Sequence, residues 1–259
     1  MKKLLLLLFT PLIFTCSDES SDSDNNSNNS SNKKLISWTM GYCEDCEYTD
    51  AEFLYDNEQL VSIIETYYST NPEGELEDEP HTTIGEIEHY ENYYVLNSAG
   101  DNPVEVPINT DGFYAGSGVE YVDGYMMYSD SSGAYEWSEG NLINIEVLDE
   151  QGEFDRSRNI EYSNIDDLTG YVSSFLVGTG CAYCPGAMWV YIVGLHGNNN
   201  NKLPLSMEYI FAEQSNQQNY TVQYSYIFDN DGYPVQVKVD YYQEGIQTAN
   251  EVYTLSYTD

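Results

Sequence analysis

Beyond Leu35, apolar and polar residues alternate with period two over most of the chain. Gly85-Glu86-Ile87-Glu88-His89-Tyr90 and Asn144-Ile145-Glu146-Val147 alternate cleanly. So does Pro234-Val235-Gln236-Val237-Lys238-Val239-Asp240, with three valines on one face and Gln, Lys and Asp on the other. Successive strand side chains point to opposite faces, so this pattern predicts strands with one dry and one wet face. Polar steps punctuate the runs at Asp111-Gly112, Asp123-Gly124, Glu139-Gly140-Asn141 and Asp231-Gly232. Such residues tolerate the positive φ of tight hairpin turns. The expected fold is mainly β, an antiparallel meander curled into a barrel or half-barrel, in one domain over 35–259.

A loose internal repeat supports the meander. An aromatic-rich run, a polar turn and an aliphatic run recur at 53–63, 135–145 and 226–237. Each copy reads as one hairpin. One short helix is expected in addition. Asn164 would cap it, Asp166 and Asp167 suit its first turn, and Ile165, Leu168, Val172 and Phe175 form a helical stripe. Val235, Val237 and Val239 are expected on the inner face of the sheet.

Composition strengthens the β reading. Aromatic residues make up 14% of the 259 positions, 26 of them Tyr, and aromatics suit a half-buried pleated surface. Charge then excludes a class of function. There are 44 acidic and 8 basic residues, for a net charge of −36. Nucleic-acid binding needs a basic face that displaces counterions from phosphates, so no nucleic-acid partner is expected. An anionic membrane surface would also repel the chain, so membrane attachment needs another device.

The N-terminus supplies one. Met1-Lys2-Lys3 is a basic start, and Leu4 to Phe14 is an apolar run interrupted by Thr10 and Pro11. That run is shorter than the roughly 20 residues that span a bilayer and reads as an export signal over 1–15. Cys16 follows at once. The arrangement resembles a lipoprotein signal peptide, which implies cleavage and acylation at Cys16. Thr15 and Ile13 stand where such signals usually carry a small residue and a Leu. Residues 16–34 then form an acidic, Asn/Ser-rich tether without an apolar core. The acidic stretch after Cys16 is similar to the surface-export signal of Bacteroidetes lipoproteins. This implies anchoring in the outer membrane through lipid, with the domain facing the exterior.

The remaining cysteines form two Cys-x-x-Cys pairs, Cys43 with Cys46 and Cys181 with Cys184. Disulfides are the first expectation in an oxidising compartment. A cross-link between the two motifs would close a long loop and stabilise by roughly 4–5 kcal/mol in the chain-entropy model. One four-thiolate zinc site is the alternative; otherwise no cofactor is expected. Redox catalysis ranks third, because Pro185-Gly186 opposes a helix after Cys184, and Glu44 and Asp45 would raise thiol pKa values. His81, His89 and His196 have no ligand spacing. Asp229-Asn230-Asp231-Gly232 lacks the glycine position and terminal Glu of a calcium loop and reads as a turn. No Gly-x-Ser-x-Gly elbow, phosphate loop or dinucleotide fingerprint is present, and no catalytic residue is assigned.

Several longer stretches carry a family resemblance. They are the Asp56-Asn57-Glu58-Gln59-Leu60 and Asp229-to-Pro234 hairpins, Arg158-Asn159-Ile160-Glu161-Tyr162-Ser163-Asn164, and Gly194-Leu195-His196-Gly197 with its Asn/Lys run and Leu203-Pro204. With the Tyr-rich closing strands, the chain from about residue 50 onward is similar to uncharacterised Bacteroidetes lipoproteins with a porin-like fold. The resemblance implies a curled antiparallel sheet and brings no catalytic residues. Acidic residues in most runs speak against a lipid-facing barrel. The functional expectation is a non-enzymatic binding module for an extracellular ligand such as a glycan or a protein. Tyr67, Tyr68, Tyr90, Tyr93, Tyr94, Tyr121, Tyr125, Tyr128, Tyr241 and Tyr242 are the aromatic candidates. The alternative is a hydrophobic-ligand or lipid carrier that uses the concave face under the helix.

Overall fold

The computed structural model describes residues 33–41, 48–68, 79–98, 102–116, 118–130, 133–149, 151–178 and 189–258. Two compact units are distinguished, Met1–Ser31 and Asn32–Asp259, and every described residue belongs to the second. Its strands are β1 (Leu35–Gly41), β2 (Tyr48–Asp56), β3 (Gln59–Tyr68), β4 (His81–His89), β5 (Tyr93–Ser98), β6 (Val104–Pro107), β7 (Val119–Val122), β8 (Tyr125–Ser129), β9 (Gly133–Ser138), β10 (Asn141–Leu148), β11 (Phe154–Asp166), β12 (Lys202–Phe211), β13 (Tyr220–Phe228), β14 (Pro234–Gln243) and β15 (Ile246–Tyr257). Two helices, α1 (Val172–Gly178) and α2 (Trp189–Ile192), interrupt the series between β11 and β12.

The fifteen strands form one antiparallel sheet in the order β6-β5-β4-β3-β2-β1-β15-β14-β13-β12-β11-β10-β9-β8-β7. Hairpins build both wings, and the two chain ends join them: β1 pairs with β15 from Leu35↔Tyr257 to Gly41↔Val252. Laid flat, fourteen strand spacings would separate the edges by about 67 Å. The chain itself forbids this. It passes from edge β6 to edge β7 through residues 108–118, and the twelve steps from Pro107 to Val119 reach at most about 43 Å. Part of that length is folded back, because Ala115 N–H donates to Pro107 O at 2.9 Å and Ile108 bridges Tyr114. The sheet therefore curls until its edges approach. It does not close: β6 and β7 are the ends of the ladder, and with an odd number of alternating strands they run in the same direction.

Turn chemistry explains the registers. Asn57-Glu58, Asp123-Gly124, Glu139-Gly140 and Glu244-Gly245 are two-residue hairpin turns with positive φ at both positions, the geometry that matches strand twist. A second device recurs three times. Asn109, Asp149 and Asp229 each accept, through one side-chain oxygen, the N–H groups two and four residues on. Glycines at 112, 152 and 232 take the positive φ each loop requires. The calcium-like Asp229–Gly232 run is one of these turns. All three repeat copies are hairpins, β2–β3, β9–β10 and β13–β14.

The concave face carries the core. Trp38, Met40, Phe53, Ile87, Ile145, Ile160, Met207, Val222, Val237, Val239, Tyr253 and Leu255 are buried there with α1 and α2. Val235 departs from the expected alternation. It sits at a bulge between Ile227↔Gln236 and Phe228↔Pro234 and is half-buried. The convex face is wet: Glu52, Glu86, Glu88, Glu105, Glu120, Glu136, Glu146, Glu161 and Glu208 are exposed along eight strands. A lipid-facing barrel needs an apolar band at that level, so this surface is built for water.

The helical insertion plugs the concave face and corrects the expected helix. β11 runs through Asn164 to Asp166, and Ile165 and Leu168 are exposed. The chain turns at Asp167, and α1 starts only at Val172, with Val172 and Phe175 buried. The true cap is Thr169, whose hydroxyl accepts from Tyr171 N–H and Val172 N–H, while Asp167 accepts from Ser173 N–H at 2.7 Å. Phe175 meets Trp38 edge-on at 4.4 Å. The return segment is tied to the rim by asparagines. Asn200 Oδ1 accepts from Leu142 N–H and Tyr162 OH, and Asn141 Oδ1 accepts from Asn201 N–H and Lys202 N–H.

Candidate functional site

Where the plug meets the concave wall, a cleft of about 640 Å³ opens at one rim of the half-barrel. The strand ends of β2 to β5 supply one wall, with Tyr55, Leu60, His89 and Tyr94. Alternation places these residues inward: His89 is two positions from buried Ile87, and its register partner is Tyr94. The entry to α1, Leu168 to Tyr171, and Ile192 and Val193 after α2 form the other wall. Lys33, Lys34, Glu58 and Gln59 surround the mouth.

Hydrogen bonds to backbone hold the aromatic walls in place. Tyr55 OH donates to Leu35 O at 3.0 Å, and Leu35 N–H donates to Tyr171 OH at 3.1 Å. His89 Nε2 lies 2.7 Å from Leu60 O, so this nitrogen carries the proton, and its ring meets Tyr94 edge-on at 4.8 Å. Burial pushes the Tyr55 phenol up to about 12 and raises that of Tyr94. Both hydroxyls therefore stay protonated at neutral pH. Asp167 is pushed upward by burial, against the opposing pull of the N–H and hydroxyl donors from 169–173.

Two lysines expected at the end of the tether belong to this rim. Lys33 Nζ pairs with Asp229 at 2.9 Å and Asp231 at 2.6 Å and lies over the Tyr233 ring. Lys34 Nζ pairs with Glu58 at 2.6 Å and lies over Tyr55, while its backbone bonds Thr258 in both directions. Nothing in the sequence pattern singled out Lys33, Lys34, Tyr55 or Tyr171, because their partners are distant in the chain.

Cys16, Cys43, Cys46, Cys181 and Cys184 lie outside the described residues. The three histidines are not brought together. His81 is exposed at the start of β4, His89 lines the cleft, and His196 stacks on Tyr191 at 4.3 Å within the plug. Adjacent tyrosines split between faces as strand geometry requires. Tyr94 and Tyr241 pack against the core, whereas Tyr90 stacks on Tyr93 at 4.6 Å and is 45% exposed. Tyr67 and Tyr128 are also exposed. A smaller groove of about 490 Å³, lined by Glu208, Thr221, Gln223 and Tyr242 among others, lies near β12–β14.

The fold has a counterpart among solved structures. A porin-like protein from Bacteroides uniformis superposes with a TM-score of 0.52 over 86% of this chain and 96% of its own, at 13% identity. The chain has a porin-like fold. A second porin-like protein, from Bacteroides vulgatus, aligns over 86% of this chain and 98% of its own, at 12% identity and a TM-score of 0.37. No family model matches the chain, and no curated protein matches it. At such identities the likeness concerns the fold, and it agrees with the resemblance carried by the hairpin and Asn/Lys motifs.

Proposed function

We propose that this protein is a lipid-anchored binding module of the outer-membrane surface that holds one or two sugar rings in the rim cleft. The cleft composition carries this reading. Tyr55, Tyr94 and Tyr171 offer ring surface, and Gln59, Glu58 and Thr169 offer polar groups that suit sugar hydroxyls. A volume of about 640 Å³ lies in the range of small-ligand sites. Only Leu60, Leu168, Ile192 and Val193 are aliphatic, which favours a saccharide over an acyl chain.

Attachment through Cys16 is proposed to hold the domain at the membrane. Lys33 and Lys34 hold the start of the described chain at the cleft mouth. The four other cysteines are proposed to form disulfides, with a zinc site as the alternative. A mass below that of the reduced chain, without metal, supports the former; one bound zinc supports the latter.

A glycan array followed by calorimetric titration tests the binding reading. Binding of a short glycan that Tyr94→Ala weakens at least tenfold is the expected result. Binding unaffected by that substitution, or none across the array, overturns it. The carrier reading has one supporting observation, the aliphatic wall of Leu60, Leu168, Ile192 and Val193. Lipid that copurifies with the protein and is displaced by no sugar would put the carrier first.

A further inference from the structure

The described residues hold six basic side chains: Lys33, Lys34, Arg156, Arg158, Lys202 and Lys238. Five of them lie within 4 Å of a carboxylate. Arg158 makes no ion pair among the described residues, although the chain carries 44 acidic groups. Its position makes this costly. Arg158 lies two residues from buried Ile160 on β11 and between core residue Ile145 and Tyr209 in register, so it points into the concave face. Its Nε is buried without a hydrogen-bond partner. The guanidinium lies over the Tyr209 ring at 5.1 Å, and Tyr209 stacks on Tyr220 at 4.3 Å. Its charge also reaches Tyr191 of the plug and Tyr224 of β13, where it opposes the effect of burial.

Arg158 is half-buried as a residue, but its Nε is a buried donor without a partner, and an unsatisfied buried donor needs an explanation. The second arginine adds to the pattern. Arg156 follows the same face one step along β11, between Val147 and Phe211. Its partner Asp155 is its own chain neighbour and is partly exposed. The only two arginines in the chain thus stand side by side on the inner face of one strand. An inward arginine ladder framed by aromatic rings is suited to one ligand chemistry, since guanidinium binds planar carboxylates and other oxyanions through paired N–H donors.

We propose that Arg158, assisted by Arg156, is the anchor of an oxyanion site on the concave face. It would take the carboxylate of an acidic ligand or a free inorganic anion, and it is distinct from the rim cleft. The counter-charge that Arg158 lacks among the described residues arrives with the ligand. The acidic convex surface does not prevent this, because its field decays within about 8 Å at physiological ionic strength.

The test is thermal unfolding of the purified full chain with glucuronate, sulfate, or glucose plus matched NaCl, repeated for Arg158→Met and Arg156→Met. Glucuronate or sulfate is expected to raise Tm beyond the NaCl control, glucose is not, and Arg158→Met is expected to abolish the response. Stabilisation by sulfate alone assigns the site to a free anion; stabilisation by glucuronate assigns it to an acidic ligand. Ligand-free Arg158→Met is expected to unfold at the wild-type temperature or above it, because the uncompensated charge is gone while the apolar stem remains. Arg156→Met is expected to weaken the response partially. Absence of any anion response in wild type overturns the proposal. So does an Arg158→Met variant that loses stability and keeps the full anion response, which is the signature of a purely structural arginine.

Discussion

His196 provides a direct test of how the plug is built. Its ring stacks on Tyr191 at an interplanar angle of 10°, and burial lowers its pKa from 6.5 to about 4. The unfolded chain therefore takes up the proton first. The stability contributed by neutral His196 is complete above about pH 6.5 and is lost as the pH falls towards 4. At about 1.36 kcal/mol per unit, the loss is about 2 kcal/mol at pH 5 and about 3 kcal/mol at pH 4. Burial raises Asp167 and Glu251. Those groups hold their protons more tightly when folded and gain stability on acidification, so wild type alone does not isolate the histidine. His196→Phe preserves a stacked ring and removes the titration. Urea unfolding of both proteins at pH 7, 6 and 5, read by Trp fluorescence and extrapolated linearly, gives the difference. Wild type should lose about 2 kcal/mol relative to His196→Phe between pH 7 and 5. Parallel loss in the two proteins would refute the buried, neutral histidine.

Three further outcomes follow from the packing and charge. Trp38 is 1% exposed and touches Phe175 and Tyr253 at 4.4 and 4.9 Å, so Trp38→Ala should cost about 3–5 kcal/mol in denaturant unfolding. Trp38→Phe should cost less, because it also removes a buried indole N–H without a partner. Asp167→Ala strands the N–H groups of Thr169 and Ser173 and should cost about 2 kcal/mol; a Tm equal to wild type would show that the turn before α1 needs no such anchor. With a net charge of −36, raising NaCl from about 20 mM to about 500 mM should raise Tm by screening self-repulsion. A fall would mean that the exposed ion pairs outweigh it.

The sequence by itself determined everything that depends on neighbours in the chain. Period-two alternation fixed which faces are wet, as at Glu86 and Glu88 flanking buried Ile87. Asn-, Asp- and Gly-containing steps fixed the hairpins, because positive φ is a local requirement. The same locality explains one failure. Ile165, Leu168, Val172 and Phe175 have helical spacing, yet only the last two are helical, because β11 gains a strand partner in β12 as far as Asp166↔Lys202. A ladder bond to a residue 36 positions away leaves no trace in a local pattern. Only the tertiary structure decided the curl of the sheet, which follows from the short path between β6 and β7. It also brought Tyr55, His89, Tyr94 and Tyr171 around one cleft and clamped Lys33 onto a turn at the far end of the chain. The inward aim of Arg158 was equally hidden. Alternation put it on the face of Ile160, but that face being the concave side is a property of the whole sheet, and so is the lack of an ion pair at Arg158 among the described residues.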